Sequence, residues 1–191
     1  MLDRHGEALI RLAAASIEHG LRHGSPLAAV DQPEALRRFG AAFVTLRAGD
    51  RLRGCVGSIE AVRPLGDDVR INAYSAAFAD TRFPPLTAAE RTSLRLGISV
   101  LTPPQTIDFT CEDNLLEQLR PGRDGIVISG NGRRAVFLPQ VWEQLSQPRD
   151  FLEHLKLKAG FSPTYWSDDI RAQRFSALSV SSDALTQPVW S

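Results

Sequence analysis

The chain has 191 residues, enough for one sizeable hydrophobic core or for two small lobes. Its 22 Lys and Arg are matched by 22 Asp and Glu, whereas a duplex nucleic-acid binder is expected to carry a basic excess. No apolar run approaches the roughly 18 residues that span a membrane, and the charged start, Met1 to Glu7, lacks the apolar stretch of a secretory signal.

The first twenty residues predict an amphipathic helix, with Leu9, Leu12, Ala13 and Ile17 at helical spacing and Gly20 and Gly24 as its end. Pro33 and Glu34 start a short helical turn through Arg38. Ala41 to Leu46 reads as a strand, Gly49-Asp50 as a turn, and Arg51 to Ile59 as the returning strand. Leu65 to Ala79 is helical, and its inner face is small (Ala73, Ala76, Ala77), which permits close packing on a sheet. Phe83-Pro84-Pro85-Leu86 breaks the chain. Leu94 to Leu101 is a strand, and Asn114 to Leu119 a helical segment. Ile126 to Ser129, Gly130-Asn131-Gly132 and Arg134 to Leu138 form a strong hairpin signal. A second amphipathic helix runs from Pro148 to Ala159 and stops at Gly160. The last strand lies near Phe175 to Val180.

These elements make an α+β fold of mainly antiparallel sheet with flanking helices. We take residues 1–191 as a single domain, with lobes at about 1–110 and 111–191. Strand, glycine turn, strand and helix occur between Ala41 and Asp80 and again between Gly125 and Gly160, as an internal duplication would produce, although so common a motif can also recur by chance. In a duplicated fold Phe137 or a neighbour occupies the place of Cys55.

The most informative stretch is Leu52-Arg53-Gly54-Cys55-Val56-Gly57-Ser58. Strand alternation sets Arg53, Cys55 and Gly57 on one face. Arg53 then stands about 7 Å from the thiol, close enough for its charge to favour a thiolate. Gly54 and Gly57 remove side-chain cover and let a ligand or another backbone approach. The plainer reading is a small buried cysteine with glycines needed for packing. Two cysteines, Cys55 and Cys111, are too few for a disulfide framework, so free thiols in the cytoplasm are expected.

A second stretch, Ala76 to Leu86, brings Asp80, Arg82 and Phe83 off a helix end into a proline-stiffened loop, where an ion pair either lines a pocket or staples the loop. On the helix near Gly160, His154 and Lys158 share a face, and a solvated face explains them better than a Cys–His pair. His19 and His23 are four apart, but no third metal ligand is evident. No P-loop, no His-Glu-x-x-His, no Cys-x-x-Cys and no Gly-x-Ser-x-Gly occurs, so neither metal nor cofactor is assigned.

The segment Leu52 to Gly57 resembles the signature of the AMMECR-domain family. The resemblance continues through Ala76 to Leu86, Asp124-Gly125-Ile126, Phe137 to Val141, Lys158-Ala159-Gly160 and Trp166, an ordered set covering most of the chain. Thr81 stands where a proline is frequent, and Val56-Gly57-Ser58 replaces the commoner Ile-Gly-Thr. Microbial members are known as AmmeMemoRadiSam system protein A, encoded beside or fused to a Memo-like protein and a radical-SAM enzyme. The resemblance implies a two-lobed α+β fold with the Arg-Gly-Cys segment near a cleft between lobes, and a Memo-like protein and a radical-SAM enzyme as partners. It supplies no reaction.

Three functions follow as expectations. In the first, the chain is an enzyme or the substrate-handling component of one. Cys55 is then nucleophile or carrier, Arg53 activates it or binds an anionic group, and Gly54, Gly57, Asp80, Arg82 and Phe83 hold a small-molecule or peptide ligand. In the second it is a non-catalytic protein-binding adaptor. The third, nucleic-acid binding, requires Arg51, Arg53, Arg63 and Arg82 to converge, and ranks last.

Overall fold

A computed structural model describes residues 2–190, so the charged start is described from Leu2 onward and Met1 lies outside the described residues. The chain divides into two units, Met1–Leu101 with Leu178–Ser191, and Thr102–Ala177.

The first unit is built on a four-stranded antiparallel sheet in the order β2-β1-β3-β8. Its strands are β1 (Ala42–Ala48), β2 (Arg51–Gly57), β3 (Leu94–Leu101) and β8 (Ala177–Ser181). Alternation decides which face is inside. Ala42, Val44 and Leu46 on β1 and Leu94, Leu96, Ile98 and Val100 on β3 are buried, while the residues between them are not. Two long helices join this core, α1 (Leu2–His23) and α3 (Leu65–Phe78), and Leu36 is added from the segment between α1 and β1. α1 contributes Leu9, Ile10, Ala13, Ala14 and Ile17, and α3 contributes Leu65, Val69, Ala73, Ala76 and Ala77. A short helix, α2 (Glu34–Arg37), lies between α1 and β1.

Gly20 does not end α1. It sits inside the helix because α3 crosses there, and a Cβ at Gly20 would overlap the ring of Phe78 and lie 2.9 Å from that of Tyr74. The helix stops at Gly24, whose φ of 67° is the left-handed conformation glycine adopts freely.

The second unit carries the other antiparallel sheet, in the order β4-β7-β5-β6. Its strands are β4 (Gln105–Ile107), β5 (Gly125–Gly130), β6 (Arg133–Phe137) and β7 (Arg171–Phe175), with helices α4 (Glu112–Gln118) and α5 (Pro148–Lys158). The β5–β6 turn holds Asn131 and Gly132 at φ of 45° and 69°, the pair of positive values that a two-residue hairpin turn requires. The core includes Ile126, Ile128, Phe151, Leu152 and Leu155, and the rings of Trp142 and Phe151 stack at 3.8 Å.

The strand expected near Phe175 to Val180 is two strands. β7 ends at Phe175 and β8 begins at Ala177, and they belong to different sheets. β4 was not foreseen: it is three residues long and is defined by its pairing with β7. The repeated pattern has a counterpart in topology. In each sheet a hairpin is followed by a helix and then a strand antiparallel to the hairpin's first strand, β1-β2-α3-β3 and β5-β6-α5-β7. Counted by ladder position from the closing pairs Ala48–Arg51 and Gly130–Arg133, Cys55, opposite Thr45, corresponds to Val136, opposite Val127 and next to Phe137. Val136 is buried and Phe137 beside it packs edge-on against Phe151 at 5.2 Å, so the second hairpin has an apolar side chain where the first has a thiol.

Candidate site around Cys55

β2 is an edge strand, and Cys55 is placed opposite Thr45 of β1. Its backbone N–H and C=O are both bound on the side away from β1. The N–H donates to Asp80 Oδ2 at 2.9 Å, and the C=O accepts from Arg82 Nη2 at 3.0 Å. The pair with Thr45 is therefore the non-hydrogen-bonded kind, which brings side chains close, and Thr45 Oγ1 lies 3.4 Å from Cys55 Sγ. An exposed strand edge is an open template for pairing. Here the loop after α3 covers it with a carboxylate and a guanidinium in place of a neighbouring strand.

Asp80 and Arg82 bind each other through two side-chain contacts, Nε to Oδ1 at 2.9 Å and Nη2 to Oδ2 at 2.7 Å, and the Arg82 backbone N–H donates to Oδ1 at 3.2 Å. The Arg82 hydrogen bonds hold the Asp80 carboxyl well below the usual carboxylate range, and the Cys55 N–H adds to the effect. Arg82 is raised in turn, chiefly by Asp80. The expected acid–base pair in this loop is thus present, and it grips the backbone of Cys55.

Arg53 takes another direction. The β1–β2 register slips between Leu46 and Arg47, whose partners are Gly54 and Leu52, so Arg53 is the extra residue of a bulge. The alternation that would set Arg53 beside Cys55 is interrupted there. Its guanidinium, nearly buried, donates to Glu90 Oε1 at 2.7 Å and to the Pro84 carbonyl at 2.9 Å. Glu90 also accepts from the Thr87 N–H and hydroxyl, and these bonds, led by that of Arg53, lower its carboxyl to about 2. Both arginines lie over the ring of Phe83, with Arg53 Cζ 6.0 Å and Arg82 Cζ 5.5 Å from its centre. Sequence reasoning missed Glu90. The Thr87-x-x-Glu90 spacing, a familiar capping pattern, was the available signal.

Both glycines are explained by packing inside the chain. A Cβ at Gly54 would overlap the carbonyl oxygen of Ala76 on α3, and one at Gly57 would overlap the ring of Phe43. The open position is elsewhere, at Gly97 of β3, which pairs with Thr45. A Cβ there would meet nothing closer than Thr45 at 3.9 Å. Cys55, Thr45 and Gly97 thus form one row across the outer face of the sheet, with the thiol half-buried. No cluster of three metal-ligating side chains occurs among the described residues.

The other candidates are engaged where they stand. His154 Nδ1 is 2.8 Å from the Asp150 carbonyl of its own helix, and Lys158 Nζ donates to the Val136 carbonyl at 2.9 Å and lies over Phe137. Arg53, Arg63 and Arg82 each pair with a separate carboxylate, Glu90, Asp68 and Asp80. Lys156, not singled out by sequence, is fully buried and bound to Glu112 at 2.7 Å. No helix among the described residues is long and apolar enough to cross a membrane.

Comparison with known proteins agrees with the resemblance. The AMMECR1 family model matches residues 10–180. Protein MK0488 of Methanopyrus kandleri is 36% identical over 169 residues, covering 84% of this chain and 80% of its own length. Protein MJ0810 of Methanocaldococcus jannaschii is 36% identical over 176 residues, covering 90% and 87%. Among solved structures, the uncharacterized protein PH0010 from Pyrococcus horikoshii superposes with a TM-score of 0.81 at 31% identity, covering 97% of this chain and 94% of that one.

Proposed function

From the premise that the chain belongs to the AMMECR1 family, we propose that it is a substrate-handling protein that presents Cys55 to a small-molecule or peptide ligand. The observation that carries this reading is the double grip of Asp80 and Arg82 on the Cys55 backbone. It fixes the strand and leaves the thiol as the group free to act, beside Thr45 and the open Gly97 position. Rigid support behind a half-buried nucleophile is the arrangement that a carrier or anchoring thiol needs. The same grip engages the N–H of Cys55, so that N–H is not available as an oxyanion donor. This favours holding a ligand over turning it over.

On this reading the protein works in the cytoplasm, where its two cysteines stay free. It acts with a Memo-like protein and a radical-SAM enzyme, the partners the family resemblance suggests. The test is thiol alkylation in a Cys111→Ser background. Labelling of Cys55 in the native protein at a rate near that of the denatured chain supports a presenting thiol. Labelling only after denaturation removes it.

A second reading, a non-catalytic adaptor, draws on the exposed side chains of Phe39 and Val62, which are 67% and 58% accessible. Retention of a partner after Cys55→Ser, with loss after Phe39→Ser, would favour it over the first.

A further inference from the structure

The guanidinium that reaches Cys55 is that of Arg82, since Arg53 is turned to Glu90 and Pro84. The donors of Arg82 are not all spent. Its Nε and one N–H of Nη2 go to Asp80, and Nη2 also donates to the Cys55 carbonyl. Nη1 carries the remaining N–H groups of the fork, and it meets no partner among the described residues.

The Asp80–Arg82 pair has a direction. Asp80 Oδ1 accepts the Arg82 backbone N–H and Nε, and Oδ2 accepts the Cys55 N–H and Nη2. The Asp80 side chain is 7% accessible, whereas that of Arg82 is 54% accessible. The negative end is thus enclosed, and the guanidinium is the charge that an arriving molecule meets. Its contacts with Asp80, and the ring of Phe83 at 5.5 Å from Cζ, hold the fork in place, so binding costs little of the rotamer freedom an arginine usually loses. Arg82 is raised chiefly by Asp80 and then by the Cys55 side chain, so the guanidinium stands within reach of the sulfur as well as of the carbonyl.

We propose that the ligand of Cys55 carries a carboxylate, which Arg82 Nη1 holds at the β2 edge while another part of the ligand reaches the thiol beside Thr45. This rests on the reading of Cys55 as a presenting thiol and adds the charge of the molecule it is presented to. One guanidinium nitrogen suits a single carboxylate. A phosphate has more oxygens and more charge, and Arg clusters are its usual partners. The chain as a whole is neutral, with 22 basic and 22 acidic residues, so net charge does not favour anions over neutral molecules. A preference for anions at the thiol must then come from its own surroundings.

The experiment compares iodoacetate with iodoacetamide at Cys55 in the Cys111→Ser protein, at one pH and low salt. Both reagents alkylate the same sulfur with loss of iodide and differ in a carboxylate against an amide, so the ratio of their rates cancels the accessibility of the thiol. Relative to the urea-unfolded chain, the native ratio is expected to shift toward iodoacetate on the order of fivefold, the effect of a half-exposed charge pair. The shift should shrink at about 1 M salt. Arg82→Gln should abolish it, and Arg82→Lys should keep part of it. The salt series is read on the parent side chain, so the test stands should Arg82→Gln not fold. A native ratio equal to that of the unfolded chain overturns the carboxylate inference and leaves the presenting thiol intact. A preference that survives in folded Arg82→Gln removes Arg82 as its source. Labelling by neither reagent before denaturation removes both readings.

Discussion

Asp80 accepts the backbone N–H of Cys55 at 2.9 Å, across 25 residues of chain, and is itself almost buried. An ionised acceptor binding a half-buried N–H contributes more than a neutral one, and removing it leaves that N–H without a partner. Asp80→Ala is expected to lower unfolding free energy by about 2 kcal/mol, and Asp80→Asn, which keeps an acceptor, by about 1 kcal/mol. Urea denaturation at neutral pH measures both. Equal losses would mean that the charge on Asp80 contributes nothing.

The two carboxylates of this region have folded-state affinities for protons below their usual values, Glu90 at about 2 against 4.5, and Asp80 lower still. A depressed carboxyl stabilises the fold at pH values above its ordinary range, and that contribution disappears as acid drives the folded state through its own pKa. Thermal stability should therefore fall between pH 4.5 and 2 as Glu90 loses its advantage. Glu90→Gln should be less stable than the parent above pH 5 and show a shallower acid decline. Melting temperature measured from pH 2 to 7 checks this, and parallel curves for parent and variant would contradict it.

Gly54 has no room for a methyl group because the Ala76 carbonyl of α3 fills the position where a Cβ would stand. The obstacle is backbone, which cannot rotate aside as a side chain can. Gly54→Ala is expected to cost about 1–3 kcal/mol, the usual range for overpacking, and to move β2 away from α3. Because the Asp80 bond to Cys55 spans the same gap, the variant should also raise amide exchange at Cys55. A stable variant with unchanged exchange would show that α3 can withdraw at little cost.

Where local chemistry sets the structure, the residues were readable. Asn131-Gly132 demanded a hairpin, Gly160 with its φ of 82° ended α5, and alternation marked the inner faces of β1 and β3. Where distant packing decides, they were not. Gly20 looks like a helix stop, yet it is required by the rings of Tyr74 and Phe78, more than fifty residues away. β7 and β8 follow one another with only Ser176 between them, and only their partners assign them to different sheets. The site divides in the same way. Cys55, Asp80 and Arg82 were found from sequence, and the structure brings them together. The alternation used to place Arg53 beside the thiol failed at a bulge, because strand register is a property of the pair and not of one strand.

Gly97 supplies the sharpest test of the face that carries the thiol. It pairs with Thr45, whose hydroxyl lies 3.4 Å from the Cys55 sulfur, and a Cβ there would find nothing within 3.9 Å. A side chain at this position has space, and a strand interior favours alanine over glycine by about 0.5–1 kcal/mol. Gly97→Ala should therefore keep or slightly raise stability, in contrast to Gly54→Ala one strand pair away. Gly97→Val adds two methyl groups on the face that Cys55 and Thr45 share. If ligands reach the thiol across this face, alkylation of Cys55 should slow stepwise from Gly97 to Ala to Val while the melting temperature does not fall. Labelling rates that ignore both substitutions would mean that the thiol is approached from the β2 edge, past Arg82, and Arg82→Ala should then accelerate it.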